Sequence, residues 1–391
     1  MRSKIACGAA FISFLVLSPC AWSLSQPEAI ELAKQTTQGD SAAAARLLRA
    51  ANAGDAEAAL AVALLYYRGE AVEQRFSLAL EWLEKAASGG NATAMSLAGH
   101  LYHEGLGTLQ NYEKARGFYK QAAEKGNAAA ANNLGWLALN GFGAPADPVE
   151  ALRWFSKAAN AQHPVAMFNI GHIYELGSGV GADLPQALEW YRRSAQLGHI
   201  GATKAVGRMY AAGRGVARNH PAALQAFLKA ADAGDAEASR LAGTLYERGE
   251  RVPHDLSAAA GHYRKAAEVG DAPAQFNLGR LYEDGLGLQK DAASAAAWYR
   301  KAAEQSNPAA QSRLAYLYHK GLGVPANLPQ AVDLYKRAAA GGEANALFNL
   351  GLLYEDGVGV KQDVDHAFNL YAEAARRGHS QAKRILGNLV R

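Results

Sequence analysis

The stretch FNLGRLYEDGLG begins at Phe276, and FNLGLLYEDGVG begins at Phe348; ten of their twelve letters agree across an offset of 72 residues. Halfway between them SRLAYLYHKGLG begins at Ser312, so the underlying period is 36. Counting back in the same steps finds further copies at Arg240, Lys204, Phe168, Asn132, Ser96 and Leu60, which makes nine with no insertion between Gly54 and Gly378. A fixed period of this length means an array in which each unit is one supersecondary motif that buries its apolar face only against its neighbours.

The letters inside the unit say which motif it is. In residues 270–305, Ala274, Leu278, Leu281 and Tyr282 fall on one face of a helix. Gly285 stops that helix, and all nine units have glycine there: Gly69, Gly105, Gly141, Gly177, Gly213, Gly249, Gly285, Gly321 and Gly357. A left-handed residue commonly closes a helix, and glycine takes that conformation without a Cβ clash. Six residues later stand Asn111, Asp147, Asp183, Asn219, Asp255, Asp291, Asn327 and Asp363, which suit the N-cap of a second helix; the first unit departs with Arg75. Pro185, Pro221 and Pro329 follow in the first turn, where a missing N–H costs little. Each second helix then has an alanine (Ala79, then Ala115 through Ala367 in steps of 36) and, four residues on, an aromatic in eight of nine units, Leu83 being the exception. Small against large lets helices interlock.

The expected fold is therefore all-α: an α/α solenoid of about nine 36-residue helix–turn–helix repeats with helices covering both ends. Residues 1–23 read as a secretory signal peptide, 24–53 as N-terminal capping helices, 54–377 as the nine repeats, and 378–391 as a C-terminal capping helix. The leader reading rests on Arg2 and Lys4, an apolar run over 6–17, and small residues at Ala21 and Ser23, where a signal peptidase cuts. LSPC, ending at Cys20, offers lipoprotein processing as a rival, although Pro19 fits such a site poorly. Export is expected, to the periplasm first, with a lipoprotein or a fully secreted protein as alternatives. Both cysteines, Cys7 and Cys20, fall in this leader, so the remainder has neither a disulfide framework nor thiolate chemistry. Two of the 40 basic residues and no acidic one lie there too, which leaves a net charge of about +2. That is no polyelectrolyte patch, and nucleic acid is not an expected partner. No second long apolar run follows.

The pattern LGxLYxxGxGV…D…A…WYxKAA resembles the Sel-one-like repeat family, relatives of the tetratricopeptide repeat with a longer loop, over about residues 54–391. The resemblance implies a right-handed superhelix and, for the most part, adaptor functions. Exported bacterial members look like scaffolds in exopolysaccharide assembly, regulators of membrane sensor kinases, or factors that touch host proteins. It also implies a concave groove lined by the first helices, in which the residue after LG faces a partner. Along the array that residue is Leu64, His100, Trp136, His172, Arg208, Thr244, Arg280, Tyr316 and Leu352. The framework repeats while this position varies, and Trp, Arg and Tyr are the types that dominate binding energy. The candidate partner-binding residues are therefore His100, Trp136, His172, Arg208, Arg280 and Tyr316. Asn133, Asn169, Asn277 and Asn349, just before LG or IG, join them, because in related repeats this amide holds a peptide main chain; the other role for such an asparagine is a bond within the array. Phe168, Phe276 and Phe348, one residue earlier, read as core.

Gly105-x-Gly107 and Gly285-x-Gly287 are no phosphate loop, since a helix and not a strand precedes each. Ser380-x-x-Lys383 has the spacing of a penicillin-recognising serine enzyme, but the S-D-N and K-T-G elements are missing. His100 and His103 lie one turn apart without a third ligand. No catalytic residue, metal or cofactor is expected. The expected function is a non-catalytic scaffold, adaptor or regulator in the cell envelope that binds a protein or peptide; a secreted host-binding factor and a β-lactamase-like hydrolase are the alternatives.

Overall fold

The computed structural model describes residues 24–389. The leader with Cys7 and Cys20, and the choice between cleavage and lipidation, lie outside the described residues. Within them the chain forms twenty-one α-helices and no strand. None of these helices is long and apolar enough to cross a membrane. The chain divides into two compact units, one ending at His199 and the other beginning at Ile200. The first holds two leading helices, Gln26–Thr37 and Ser41–Asn52, then repeats one to four; the second holds repeats five to nine and the last helix, Ser380–Leu389.

Repeat three, in the first unit, shows how the motif is built. Its first helix, Ala128–Asn140, starts where Asn127 caps the Ala130 amide, and ends at Gly141 with φ 73°. The nine glycines at this place all have φ between 65° and 74°. The second helix, Pro148–Asn160, starts where Asp147 accepts from the amides of Val149 and Glu150, with proline at its first position. Arg75, the one departure from the capping pattern, makes no side-chain cap. The two helices of a repeat pack on each other, and within each unit the second helix also packs on the first helix of the next repeat.

What locks a repeat is a ring laid on a bare backbone. Phe155 is fully buried, and its ring lies over Gly135, where a Cβ would come within 2.8 Å of it. The same contact recurs for Tyr119 over Gly99, Tyr191 over Gly171 and Tyr263 over Gly243. Burial of one such side chain is worth roughly 1.5–3 kcal/mol. In these repeats the LG glycine is thus a packing residue that leaves room for the ring, whereas repeat eight accommodates Ala315 beside a fully buried Tyr335.

The second glycine of each GxG has a different cause. Gly143 also has a positive φ, and a Cβ there would meet the Tyr112 carbonyl carbon at 2.7 Å and the Glu113 nitrogen at 2.9 Å. The loops of repeats two, three, seven and eight thus seat their own backbone on the start of the preceding repeat's second helix, as Gly107 does on Phe76 and Ser77, Gly287 on Leu256 and Gly323 on Ala292. The end of that helix is covered by the chain itself. The recurring Trp and Lys or Arg of the second helices also have a physical reason: Lys85, Lys157 and Lys301 lie over Trp82, Trp154 and Trp298, and Arg193 over Trp190.

Candidate functional site

The residue after LG faces outward on each first helix. Trp136 is 38% exposed and Tyr316 36%. His172 and Arg208 are exposed, and His100 and Arg280 are half-buried. These side chains do not share one environment, and the difference between the two units is instructive.

In the first unit the face is aromatic and amide-rich. Trp136 stacks on His103 at 5.3 Å and on Phe142 at 5.2 Å. Tyr112 closes the circuit, 4.7 Å from Phe142 and 5.5 Å from His103. The indole is held by two neighbouring rings, themselves joined through Tyr112, and still presents surface to solvent. Beside it runs a chain of amides: Asn169 Nδ2 donates to Asn132 Oδ1 at 3.0 Å, and Asn132 Nδ2 donates to Asn133 Oδ1 at 3.2 Å. Asn169 therefore bonds within the array, across the joint between repeats three and four, and the Asn133 amide, bonded to Asn132, lies beside the Tyr119 hydroxyl. Asn277 has no hydrogen-bond partner among the described residues, and Asn349 lies next to the Tyr335 hydroxyl. Phe168, Phe276 and Phe348 pack on Tyr191, Tyr299 and Tyr371 of their own repeats, as core residues do.

In the second unit the same face is knitted by ions. Arg208 pairs with Glu237, and Arg280 with Glu247, each in the next or preceding repeat. Lys204 reaches Asp235 at 2.8 Å and Glu237 at 3.0 Å, and Arg240 reaches Asp271 at 3.0 Å. Both arginines singled out by type are already engaged, so an acidic partner would have to compete for them. The residues missed in the sequence are the glutamates three positions after the outward residue. Glu175 accepts from the Tyr191 hydroxyl at 2.6 Å and Glu247 from Tyr263 at 2.7 Å; Glu283 and Glu355 do the same for Tyr299 and Tyr371.

Charge and burial set the ionisation of these groups. Burial pushes the Tyr119 hydroxyl up to about 12. Tyr299 is raised further, by burial first and by its Glu283 partner second. Burial holds His103 below the ordinary imidazole value, with Glu104 pulling it back up and His100 pushing it down. His100 and His103 form no metal-binding group with other residues, and no such cluster exists among the described residues. Ser380 and Lys383 both lie exposed on the last helix.

For Asp235 and Glu237, burial favours the neutral acid, but the bonds to Lys204 outweigh it and both carboxyls are held low. A depressed folded value stabilises the protein above the unfolded carboxylate range and is lost as pH falls through the folded value. Thermal stability of the whole protein should therefore drop as pH is lowered from roughly 4.5 toward 3. Lys204→Met should flatten that slope in a series of melting curves; an unchanged slope would mean that the network contributes nothing.

The geometry matches known repeat proteins. The model of the Sel1 repeat matches nine segments: 54–91, 92–127, 128–163, 164–199, 202–235, 236–271, 272–307, 308–343 and 344–379. Among solved structures the chain is similar to a protective antigen present in uropathogenic Escherichia coli strains and displaying an SLR fold, with 32% identity over 93% of this chain and 79% of that one and a TM-score of 0.79. It is also similar to a Sel1 repeat protein from Oxalobacter formigenes, with 27% identity over 88% of this chain and 98% of that one and a TM-score of 0.65. No curated protein matches it in sequence.

Proposed function

Because the chain belongs to the Sel1 repeat family, we propose that it is a non-catalytic scaffold or adaptor of the bacterial cell envelope, which takes a partner protein or peptide on the outward faces of its first helices. Sel1 repeats mediate protein–protein interaction. The observation that carries the binding face is Trp136, a large aromatic left exposed although two neighbouring rings, His103 and Phe142, hold it in place. Packing alone has no use for its outer face: the equivalent positions of other repeats are filled by residues as different as leucine, histidine, arginine, threonine and tyrosine. A fixed aromatic with exposed surface is the type of residue that anchors an interface. The amide chain beside it offers paired donors and acceptors of the kind a peptide main chain satisfies.

The envelope location is supported by the leader-like residues 1–23. A second reading, a secreted factor that meets host proteins, is favoured by one observation: the similar E. coli protein is a protective antigen. Recovery from the medium as against the periplasmic fraction separates the two.

The test is capture of a partner from periplasmic extract, run beside Trp136→Ala. The expected result is a protein bound by the parent and weakened about tenfold or more in the variant, with an unchanged helical circular-dichroism signal. Equal capture by both would remove Trp136 from the interface. A melted variant would make it a core residue.

A further inference from the structure

Six of the nine repeats have tyrosine at the buried second-helix position, and the residue sixteen places before it decides what the hydroxyl meets. In four of them that residue is a glutamate, whose carboxylate takes the hydroxyl hydrogen: Glu175, Glu247, Glu283 and Glu355. Where the second helix has Phe155, Phe227 or Leu83 instead, the earlier residue is Leu139, Ala211 or Tyr67, and no acid is present. Repeats two and eight break this pairing. Tyr119 and Tyr335 are still there, but the earlier residues are His103 and His319. Both rings are fully buried, and both hydroxyls lack any hydrogen-bond partner.

Each orphan hydroxyl lies beside an amide from the following repeat, Asn133 for Tyr119 and Asn349 for Tyr335, outside hydrogen-bonding geometry. Asn133 already spends its oxygen on Asn132, so what it offers is a donor. At Tyr119 the neighbouring amide thus offers the phenolic oxygen a donor and its O–H no acceptor, and at Tyr335 the O–H likewise meets no acceptor in hydrogen-bonding geometry. A buried donor left unmet is costly, and native proteins seldom keep one without reason.

We propose that these two places, one in each unit, are subsites for carboxylates of an acidic partner. This rests on the scaffold reading above and names the chemistry of what the scaffold holds. In four sister repeats the chain supplies the carboxylate from its own glutamate; in these two it leaves the acid to the partner. The imidazole of His103 or His319 stands at the chain position from which the glutamate reaches in, so an incoming carboxylate enters as that ring turns aside. Glu104 beside His103 does not forbid this, because Glu283 and Glu355 hold the same bond next to Asp284 and Asp356. In repeat eight Lys320 lies on the same first helix as His319 and favours an acid, while Arg313 of that helix already faces Glu283 at 3.7 Å. An exposed ring is part of each place: Trp136, stacked on His103, and Tyr316, one turn before His319.

Calorimetric titration of the whole protein with a hexaglutamate peptide tests it. Binding of two equivalents is expected, with one lost in Tyr119→Phe, one in Tyr335→Phe and both in the double variant. These variants keep the fold, because Phe155 and Phe227 occupy that position in sister repeats. Each lost donor to a charged acceptor should weaken its subsite about tenfold or more. His103→Glu and His319→Glu should close the subsites by restoring the internal pair, whereas His103→Ala and His319→Ala should open them and tighten binding. Full binding by the double Phe variant would overturn the proposal, and so would no binding by the Ala variants. A captured partner that binds the double Phe variant undiminished would overturn it too, while leaving the scaffold reading intact. A two-site titration that follows the variants, without any captured protein, would uphold the subsites and count against the scaffold reading.

Discussion

Gly143→Val is expected to cost about 3 kcal/mol or more of unfolding free energy, and Gly126→Val only about 1–2 kcal/mol. Both glycines belong to the first unit and both have a positive φ, 73° and 90°. A β-branched residue pays the left-handed penalty at either place. The surroundings differ. At Gly126 nothing lies within 4 Å of where a Cβ would stand. At Gly143 the Cβ would press on the backbone of Tyr112 and Glu113, the first turn of the preceding repeat's second helix, which cannot yield as a flexible side chain would. Any added carbon there lifts the loop off its seat and loosens the joint between repeats two and three. Denaturant midpoints of the full chain check this; equal losses would show that the loop is not seated on that helix.

The same pair of positions shows what a repeat makes legible and what it hides. A column of nine glycines after each first helix announces a left-handed stop, because the cause is local and lies in the residue itself. The second glycine of GxG stands in the same kind of column, but its cause is a helix about 30 residues earlier, which the column does not name. Arg208 and Arg280 were legible as outward residues, and the structure places them so. Their engagement was not, since Glu237 and Glu247 lie 29 and 33 residues away, offsets that are not the period and follow only from how neighbouring helices pack. The tyrosine–glutamate pairing is different again. It is written in the sequence at a constant distance of sixteen, and it becomes visible only when two columns are compared with each other. Periodicity treats each column alone, and in its own column His103 is half of a histidine pair and not the replacement for an acid.

That pairing carries the last expectation. Tyr299→Phe should cost about 1.5–3 kcal/mol, the range for a hydrogen bond to a charged group, whereas Tyr119→Phe should cost nothing or stabilise the protein. Both rings are fully buried, and both phenolic oxygens sit at the same place in their repeats. The Tyr299 hydroxyl donates to Glu283, a carboxylate with only 16% of its side chain exposed, so removing the oxygen leaves a largely buried charge short of a partner. The Tyr119 hydroxyl donates to nothing, so removing it takes away a desolvated polar group that folding had left unmet. The two variants delete the same atom, and hydrophobic burial barely separates them; the sign of the difference reports the hydrogen bond alone. Denaturant unfolding with unchanged m-values measures it. Equal losses would mean that the Tyr119 hydroxyl already has an acceptor in solution, and the space beside it would then have no acid to wait for. A stabilised Tyr119→Phe that has also lost oligoglutamate binding would show a residue kept against the interest of stability, which is the behaviour of a group retained for a partner.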